Sequence, residues 1–312
     1  MKILVTGASG FTGHHMVESL LALPRSDLEI FGLYNTRAPG DRGGCTYLQG
    51  DLCNRDETRT LIRSVSPDAV LHLAGVNWGT LRDLLRINVL GTQNLLDAVV
   101  QERPDCRMLV VGSSAEYGYA GPGPIAEDAP LRPVGEYGIS KVAEDLLARS
   151  YACMHNLRVA VVRPFNLIGP GQPASFVCGR IVEQVLDIQA DLQDKVHLGN
   201  IESKRDFIDV RDAVSGYWQV LSHAHFEEFY TGEAINIGSG QATSIREVLA
   251  CIEAVTRRTY LIEPSRDPGP EPVPVQLSDN TRIMTTSGWR PSIPLRRSLE
   301  DMLALRMSKN SG

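Results

Sequence analysis

What the sequence lacks sets its first limits. It has no Cys-x-x-Cys pair, and its six cysteines stand apart at 45, 53, 106, 153, 178 and 251. Scattered thiols without histidines at ligand spacing argue for reduced, buried residues and against a disulfide frame or a zinc site. His223 and His225 alternate, but no third ligand lies nearby, so no metal is expected. No apolar run is long enough to span a membrane. Positive charge is not in excess: 31 Lys and Arg face 37 Asp and Glu, a net of −6, unlike a broad nucleic-acid footprint. The first strand-like run, Ile3-Leu4-Val5, begins at once, so no signal peptide is expected and the cytoplasm is the expected location. Repeats and low-complexity segments are also missing. What remains is a chain of 312 residues, 43% hydrophobic and 22% charged, enough for one large or two modest domains around a sizeable core.

Strand-like apolar runs at 2–6, 29–34, 46–50, 69–73, 107–111 and 159–163 alternate with helical patterns. That alternation predicts an α/β fold with a doubly wound parallel sheet. A ligand of such a sheet sits beyond the carboxyl ends of its strands. There the first run leads into Gly7-Ala8-Ser9-Gly10-Phe11-Thr12-Gly13, followed by Met16, Val17, Leu20 and Leu21 at helical spacing. Glycines allow a tight turn whose N–H groups approach a pyrophosphate, with a helix N-terminus behind it. His14 and His15 read as surface residues of the first helical turn.

The second run ends in Tyr34-Asn35-Thr36-Arg37, with no carboxylate for a ribose diol and one guanidinium for a 2′-phosphate. This predicts NADP and leaves NAD open. Asp51, beside Leu52, either accepts from an adenine amino group or caps the next helix. Ala74-Gly75 closes the fourth run with small residues suited to close approach of a cofactor. A long helix is expected over 83–100. Asn88 within it is at least as apt to bond a neighbouring segment as to meet a ligand.

The fifth run delivers Ser113-Ser114-Ala115-Glu116, and a Gly- and Pro-rich loop over 120–135 precedes Tyr137-Gly-Ile-Ser-Lys141. Residues four apart share a helix face, so the phenol and the ammonium point the same way. A phenol starts near pKa ~10, and bringing it near neutrality takes about 4 kcal/mol, part of which a fixed cation supplies. Such a tyrosine exchanges a proton with a carbonyl or alcohol oxygen, and the Ser114 hydroxyl is placed to hold that oxygen. Alone, Tyr-x-x-x-Lys also describes an ordinary amphipathic helix.

Beyond 165 the pattern changes. Helices are expected over 176–189, 213–221 and 244–255, the last with a Ser244/Glu247 capping box, and from Pro294 onward. A strand over 234–237 is placed to join the main sheet. Residues 264–274 carry five prolines, a stiff surface loop.

Taken together, Gly7-x-x-Gly10-x-x-Gly13, Asp51, His72-Leu73-Ala74-Gly75, Asn88-Val89, Ser114, Tyr137-x-x-x-Lys141 and Arg163-Pro164 resemble the extended short-chain dehydrogenase/reductases. Four further segments, 111–118, 163–172, 204–212 and 288–295, are most similar to the GDP-4-keto-6-deoxy-mannose reductases of that family.

The resemblance implies a Rossmann-type domain over 1–165 and about 207–239. It implies a smaller C-terminal nucleotide-sugar-binding domain over 166–206 and 240–312. It implies hydride transfer from NAD(P)H to the C4 ketone of a nucleotide-diphospho-sugar, with Tyr137 as proton donor, Lys141 lowering its pKa, Ser114 on the carbonyl oxygen and Glu116 as a further acid–base candidate. Gly7, Gly10, Phe11, Thr12, Leu73, Ala74, Gly75, Tyr137, Lys141 (on the nicotinamide ribose) and Pro164 would join Asn35, Arg37, Asp51 and Leu52 around the cofactor. Asn166, Val177, Arg180, Arg205 and Arg266 would meet the sugar or its diphosphate. The family pairs its long helices, here near 83–100 and 137–154, into a four-helix homodimer interface.

Two departures stand out. Relatives carry an Arg-Pro step where this chain has Asp267-Pro268-Gly269-Pro270-Glu271-Pro272-Val273-Pro274, with Arg266 a few residues early, which leaves GDP and dTDP both open. Gly135-Glu136 replaces the Ser-Pro favoured before the tyrosine, which bears on the face of C4 that receives hydride. A 4,6-dehydratase or epimerase on this scaffold is the alternative. The glucose-type dehydratases use an Asp-Glu pair, and Ala115 stands in place of that Asp. A non-catalytic NADP-binding regulator would usually lack the tyrosine or the lysine.

Overall fold

In the computed structural model, residues 1–25, 27–40, 43–264 and 273–310 are described. The first half follows the expected alternation: β1 Lys2–Thr6, α1 Phe11–Leu21, β2 Glu29–Tyr34, β3 Cys45–Gln49, α2 Arg55–Val65 and β4 Ala69–His72. The expected single helix over 83–100 is instead a short α3, Leu81–Leu84, a π-helical turn, Leu85–Leu90, and α4, Gly91–Glu102. Then come β5 Arg107–Val111, α5 Glu136–His155 and β6 Arg158–Pro164.

The second half adds β7 Asn166–Ile168, α6 Val177–Gln189, β8 Lys195–Leu198, β9 Lys204–Asp209, α7 Val210–Leu221, α8 Phe226–Phe229 and β10 Ala234–Ile237. It closes with β11 Ala242–Ser244, α9 Ile245–Thr256, β12 Leu261–Pro264, β13 Val275–Gln276, α10 Thr281–Ser287 and α11 Leu295–Asn310. The Ser244/Glu247 capping box opens α9 as expected.

The main sheet has seven strands in the order β10-β6-β5-β4-β1-β2-β3, all parallel. Its strands lack polar alternation because both faces are covered. Ile3 and Val5 pack with Met16, Val17 and Leu20 of α1 and Val214 and Tyr217 of α7. Leu4 between them faces Ile62, Leu95, Leu96 and Val99 on the other side. Successive strand residues thus feed two cores, and each fully buried aliphatic side chain contributes about 1.5–3 kcal/mol.

A third core joins α6, β8, α9 and α11 through Ile181, Val185, Val196, Val248, Leu249, Leu299 and Met302. Ile283 and Trp289, in the stretch assigned by sequence to the C-terminal unit, pack instead in the core of the main sheet. Strand β9 links the two regions, pairing with β7, β11 and β13.

Candidate active site

Strand order reverses between β1 and β4, the place where an open α/β sheet offers a crevice. A cavity of about 620 Å³ lies there, running from the glycine turn to the N-terminus of α6. One end of it is built for an anion. Gly7 has φ +68°, and a Cβ added to it would meet the Ala74 backbone at 2.8 Å. A Cβ on Gly13 would stand 2.1 Å from the Gly7 carbonyl oxygen. Only glycine permits this closeness of turn, helix and neighbouring strand. Helix α1 then starts with neither a side-chain cap nor an acidic residue in its first turn. Its N–H groups and the positive end of its dipole are left for a ligand. By contrast, α2 is capped by Asn54 and carries Asp56 and Glu57. These residues fit the dinucleotide pyrophosphate read from the sequence.

Ser114, Tyr137 and Lys141 line the middle of the same cavity. Ser114 opens a short 3-10 turn after β5, and Tyr137 and Lys141 lie on the first turns of α5. A Cβ on Gly138 would stand 2.8 Å from the Ala115 carbonyl oxygen, so a glycine beside the tyrosine lets the helix approach the serine turn. The cavity also takes in Gly7, Gly10, Phe11, Thr12, Leu73, Gly75 and Pro164 on the glycine-turn side, and Asn166 and Val177 on the other.

Several expected residues stand off this wall. Glu116 is fully buried behind it, its Oε2 2.7 Å from Arg163 Nε and its Oε1 accepting from Ser113 N at 2.7 Å. Burial and then Asp145 push its pKa well above the usual carboxylate range. The acid–base role expected of it is corrected on that ground: the guanidinium holds it away from the cavity.

Ala74 sits behind the turn, its N–H bonded to Thr6 Oγ1. Asp51 and Leu52 line a second cavity, of about 490 Å³, between the ends of β2 and β3 and α2. There Asp51 accepts from Cys53 N at 2.9 Å. Asn35 and Arg37 are exposed beyond β2. Arg180 is exposed, with a 3.5 Å contact to the Ala174 carbonyl. Arg205 is half-buried in β9, paired in register with Gln276, and burial lowers its pKa. Arg266 lies outside the described residues.

Two further readings change, at His15 and Tyr137, while Asn88 follows the structural one of its two readings. His15 is buried, its Nε2 donating to the Pro170 carbonyl at 2.8 Å, because its face of α1 packs against the segment after β7. Asn88 is wholly structural in its contacts: it accepts from Val76 N and donates to Val76 O and Ser140 Oγ, fixing the wall after β4 from the π turn. At the phenol, burial outweighs the cation. Burial pushes the Tyr137 pKa up, and the pull of Lys141 and of a hydrogen bond with Ser113 does not overcome it. Lys141 is engaged elsewhere, 2.6 Å from Glu144 Oε2 and donating to the Val111 carbonyl at 2.9 Å.

Sequence reading missed Ser113, Glu144 and Gln276. Gln276 comes from β13, and its Nε2 donates to the Ser114 and Gly118 carbonyls while its Oε1 faces Ser114 Oγ at 3.4 Å. Nothing local could reveal a contact across 162 residues. Glu144 was visible in principle, three residues from Lys141 on one helix face.

The sequence profile of the family described as GDP-mannose 4,6 dehydratase matches residues 4–302. The chain belongs to this family. Among its relatives, the GDP-6-deoxy-D-mannose reductase of Pseudomonas aeruginosa is 33% identical, over 97% of this chain and 96% of that one. The GDP-6-deoxy-D-talose 4-dehydrogenase of Aggregatibacter actinomycetemcomitans is 26% identical, over 92% of each. A solved structure of RMD from Pseudomonas aeruginosa complexed with NADPH superposes with a TM-score of 0.83 at 30% identity, covering 98% of this chain and 99% of that one. Membership confirms the Rossmann-type architecture read from the motifs. No helix of the described residues is long and apolar enough to cross a membrane.

Proposed function

We propose that the protein reduces, with NADPH or NADH, the C4 ketone of a nucleotide-diphospho-4-keto-6-deoxyhexose. The substrate is of the GDP-4-keto-6-deoxy-mannose type, and the product GDP-rhamnose or a stereoisomer. One observation carries this reading: Ser114, Tyr137 and Lys141 share a single cavity with an uncapped, glycine-framed helix N-terminus. The relatives that act on GDP-6-deoxyhexoses support the substrate class, and the NADPH-bound neighbour supports NADP.

The turn at Gly7, Gly10, Phe11 and Thr12 would hold the pyrophosphate, with Leu73, Gly75 and Pro164 along the remainder. Asp51 and Leu52 would lie toward the adenine, and Asn35 and Arg37 toward its ribose. When bound, the nicotinamide supplies the hydride. Tyr137 donates the proton that the C4 oxygen requires, and Ser114 holds that oxygen by its hydroxyl. Lys141 keeps one N–H for the cavity after serving Glu144 and Val111. Asn166 and Val177 would border the sugar. Arg205, a half-buried guanidinium, suits the diphosphate, as would Arg180 near the mouth.

A dehydratase needs acid–base groups beside the triad. Here Ala115 offers none and Glu116 is locked to Arg163, which favours the reductase. The expected homodimer rests on Leu90 at the end of the π turn before α4 and on Ile139, Leu146 and Met154 along α5, all exposed apolar side chains. We place the protein in the cytoplasm, in keeping with its free cysteines.

The deciding experiment offers a panel of GDP- and dTDP-linked 4-keto-6-deoxy sugars and follows NADPH absorbance, with the C4 configuration of the product read by NMR. A reductase consumes one NADPH per product formed. Turnover without net consumption would instead identify a dehydratase or epimerase.

A further inference from the structure

Behind the cavity wall lies a buried carboxylate that the proton transfer does not use. Glu144 is fully buried on α5, with Oε2 2.6 Å from Lys141 Nζ. Its Oε1 accepts from Thr92 Oγ1 at 3.1 Å. Thr92 Oγ1 is 2.8 Å from His72 Nε2, and His72 Nδ1 is 2.7 Å from Thr6 Oγ1. Thr6 Oγ1 already accepts from the N–H groups of Leu73 and Ala74. Its lone pairs are thereby filled, so its own hydrogen goes to Nδ1, and Nε2 carries the ring hydrogen toward Thr92. A chain of hydrogen bonds thus runs from the strand end before Gly7 to Thr92, whose one hydrogen is shared between the Asn88 carbonyl at 2.5 Å and Glu144. His72 stays neutral within it, because burial, and then Lys141, hold its pKa down at about 3.

Several elements bring charged or titratable groups to the phenol. Helix α5 presents Lys141 and Glu144, and the turn after β5 presents Ser113 and Glu116. Tyr217 of α7 faces the phenol as well. Glu144 is itself faced by Lys141, by Asp145 on its own helix, and by His72 of β4 at 3.7 Å. Lys141 is the one cation of this set. Burial works against its charge, but Glu144 and then the phenol outweigh burial and keep it protonated. A carboxylate in contact with that ammonium offsets part of the field it places on the tyrosine.

We propose that Glu144 is a positioning residue: it anchors Lys141 and, by offsetting its charge, sets the pH range over which Tyr137 stays protonated as a donor. The proposal rests on the reading of Tyr137 as the proton donor.

The test compares Glu144→Gln, which removes the charge and keeps the shape, with Glu144→Asp, which draws the charge back. A donor phenol loses activity as pH rises through its pKa, giving kcat/KM an alkaline limb. With the negative charge gone, the phenolate and Glu116 still favour the charge on Lys141, the carboxylate no longer opposes it, and that limb moves to lower pH. The expected displacement is about one pH unit, or roughly tenfold less activity on the alkaline side. Glu144→Asp moves it the same way by less. Phenolate absorbance gives a readout without turnover: the tyrosine signal that Tyr137→Phe deletes should titrate at correspondingly lower pH in the Glu144→Gln protein.

If both limb and absorbance stay at their wild-type positions while Tyr137→Phe abolishes turnover, the role given to Glu144 is overturned and the reductase reading stands. If Tyr137→Phe stays active, the donor reading falls, and with it this proposal. Should Glu144→Gln fail to fold, Glu144→Asp decides by the same two readouts.

Discussion

Two clusters of opposite charge lie side by side along α5, and adjacent residues of that helix serve them. Asp145 belongs to the first, around Arg163. That guanidinium is fully buried, 2.7 Å from Glu116 and 2.9 Å from Asp145, and it donates to Tyr117 Oη at 2.9 Å and to the Glu127 carbonyl at 3.1 Å. Its plane also lies over the Tyr117 ring, 4.9 Å from the centroid. Glu144 belongs to the second, around Lys141, which borders the cavity. The first cluster turns all of these contacts inward and holds β5, β6 and α5 together. The second leaves one N–H of Lys141 for the cavity. Residue type does not separate a wholly buried ion pair from one that lines the cavity; an open side does.

The largest expected effect tests the open cluster. Tyr137→Phe removes one oxygen from the cavity wall and should lower turnover by about 10²–10⁴-fold. The unfolding midpoint should stay near wild type, since the ring still packs. NADPH oxidation and a thermal melt on the same sample check both halves. An active variant would dissolve the contrast between the clusters.

The closed cluster should respond in stability rather than in rate. Arg163→Met leaves Glu116 and Asp145 buried without their cation, and should lower stability by about 3–5 kcal/mol in denaturant unfolding. The fraction of that variant that remains folded should bind NADPH as before. A protein with wild-type stability and no activity would move Arg163 into the chemistry.

The contrast also explains what could be read from the sequence. The parallel sheet was legible because β1, β4, β5 and β6 are apolar on both faces, and the glycine turn because its spacing states a steric need. Tyr137 and Lys141 were legible because four residues on a helix fix a shared face. The fate of Glu116 was not, since only the fold brings Arg163 from β6 to its carboxylate. Nor was the phenol's raised pKa, because Lys141 shows its charge in sequence but not the burial that outweighs it, nor the carboxylate packed against it. The π turn at Leu85–Leu90 was hidden too, as one extra residue in a helical turn hardly disturbs the apolar spacing.

A smaller effect separates the clusters by pH. His72, in the Lys141 network, has a folded pKa of about 3 against an ordinary 6.5. The unfolded chain takes up a proton in that window and the folded chain does not. Stability from this residue is therefore complete above pH 6.5 and is lost as pH falls toward 3, with a slope of about 1.4 kcal/mol per pH unit. Stability measured by denaturant at successive pH values should show that slope flattened in His72→Asn relative to wild type. Equal slopes in the two proteins would mean that His72 titrates normally.

The smallest effect concerns a third cation, one with its surface open to solvent. Arg37 follows β2, whose Leu33 carbonyl accepts from Ala8 N at 3.0 Å, so the end of that strand adjoins the glycine turn. An exposed guanidinium in this place contributes little to folding, and its effect should appear only when a 2′-phosphate arrives. Arg37→Ala should raise KM for NADPH by about tenfold, the effect of one charge-assisted phosphate contact, and leave KM for NADH unchanged. Because the contact is exposed, the gap between the cofactors should narrow as salt rises. Equal weakening of both cofactors would show that Arg37 acts on something they share, and the selection of NADP would have to come from another residue near the β2 end.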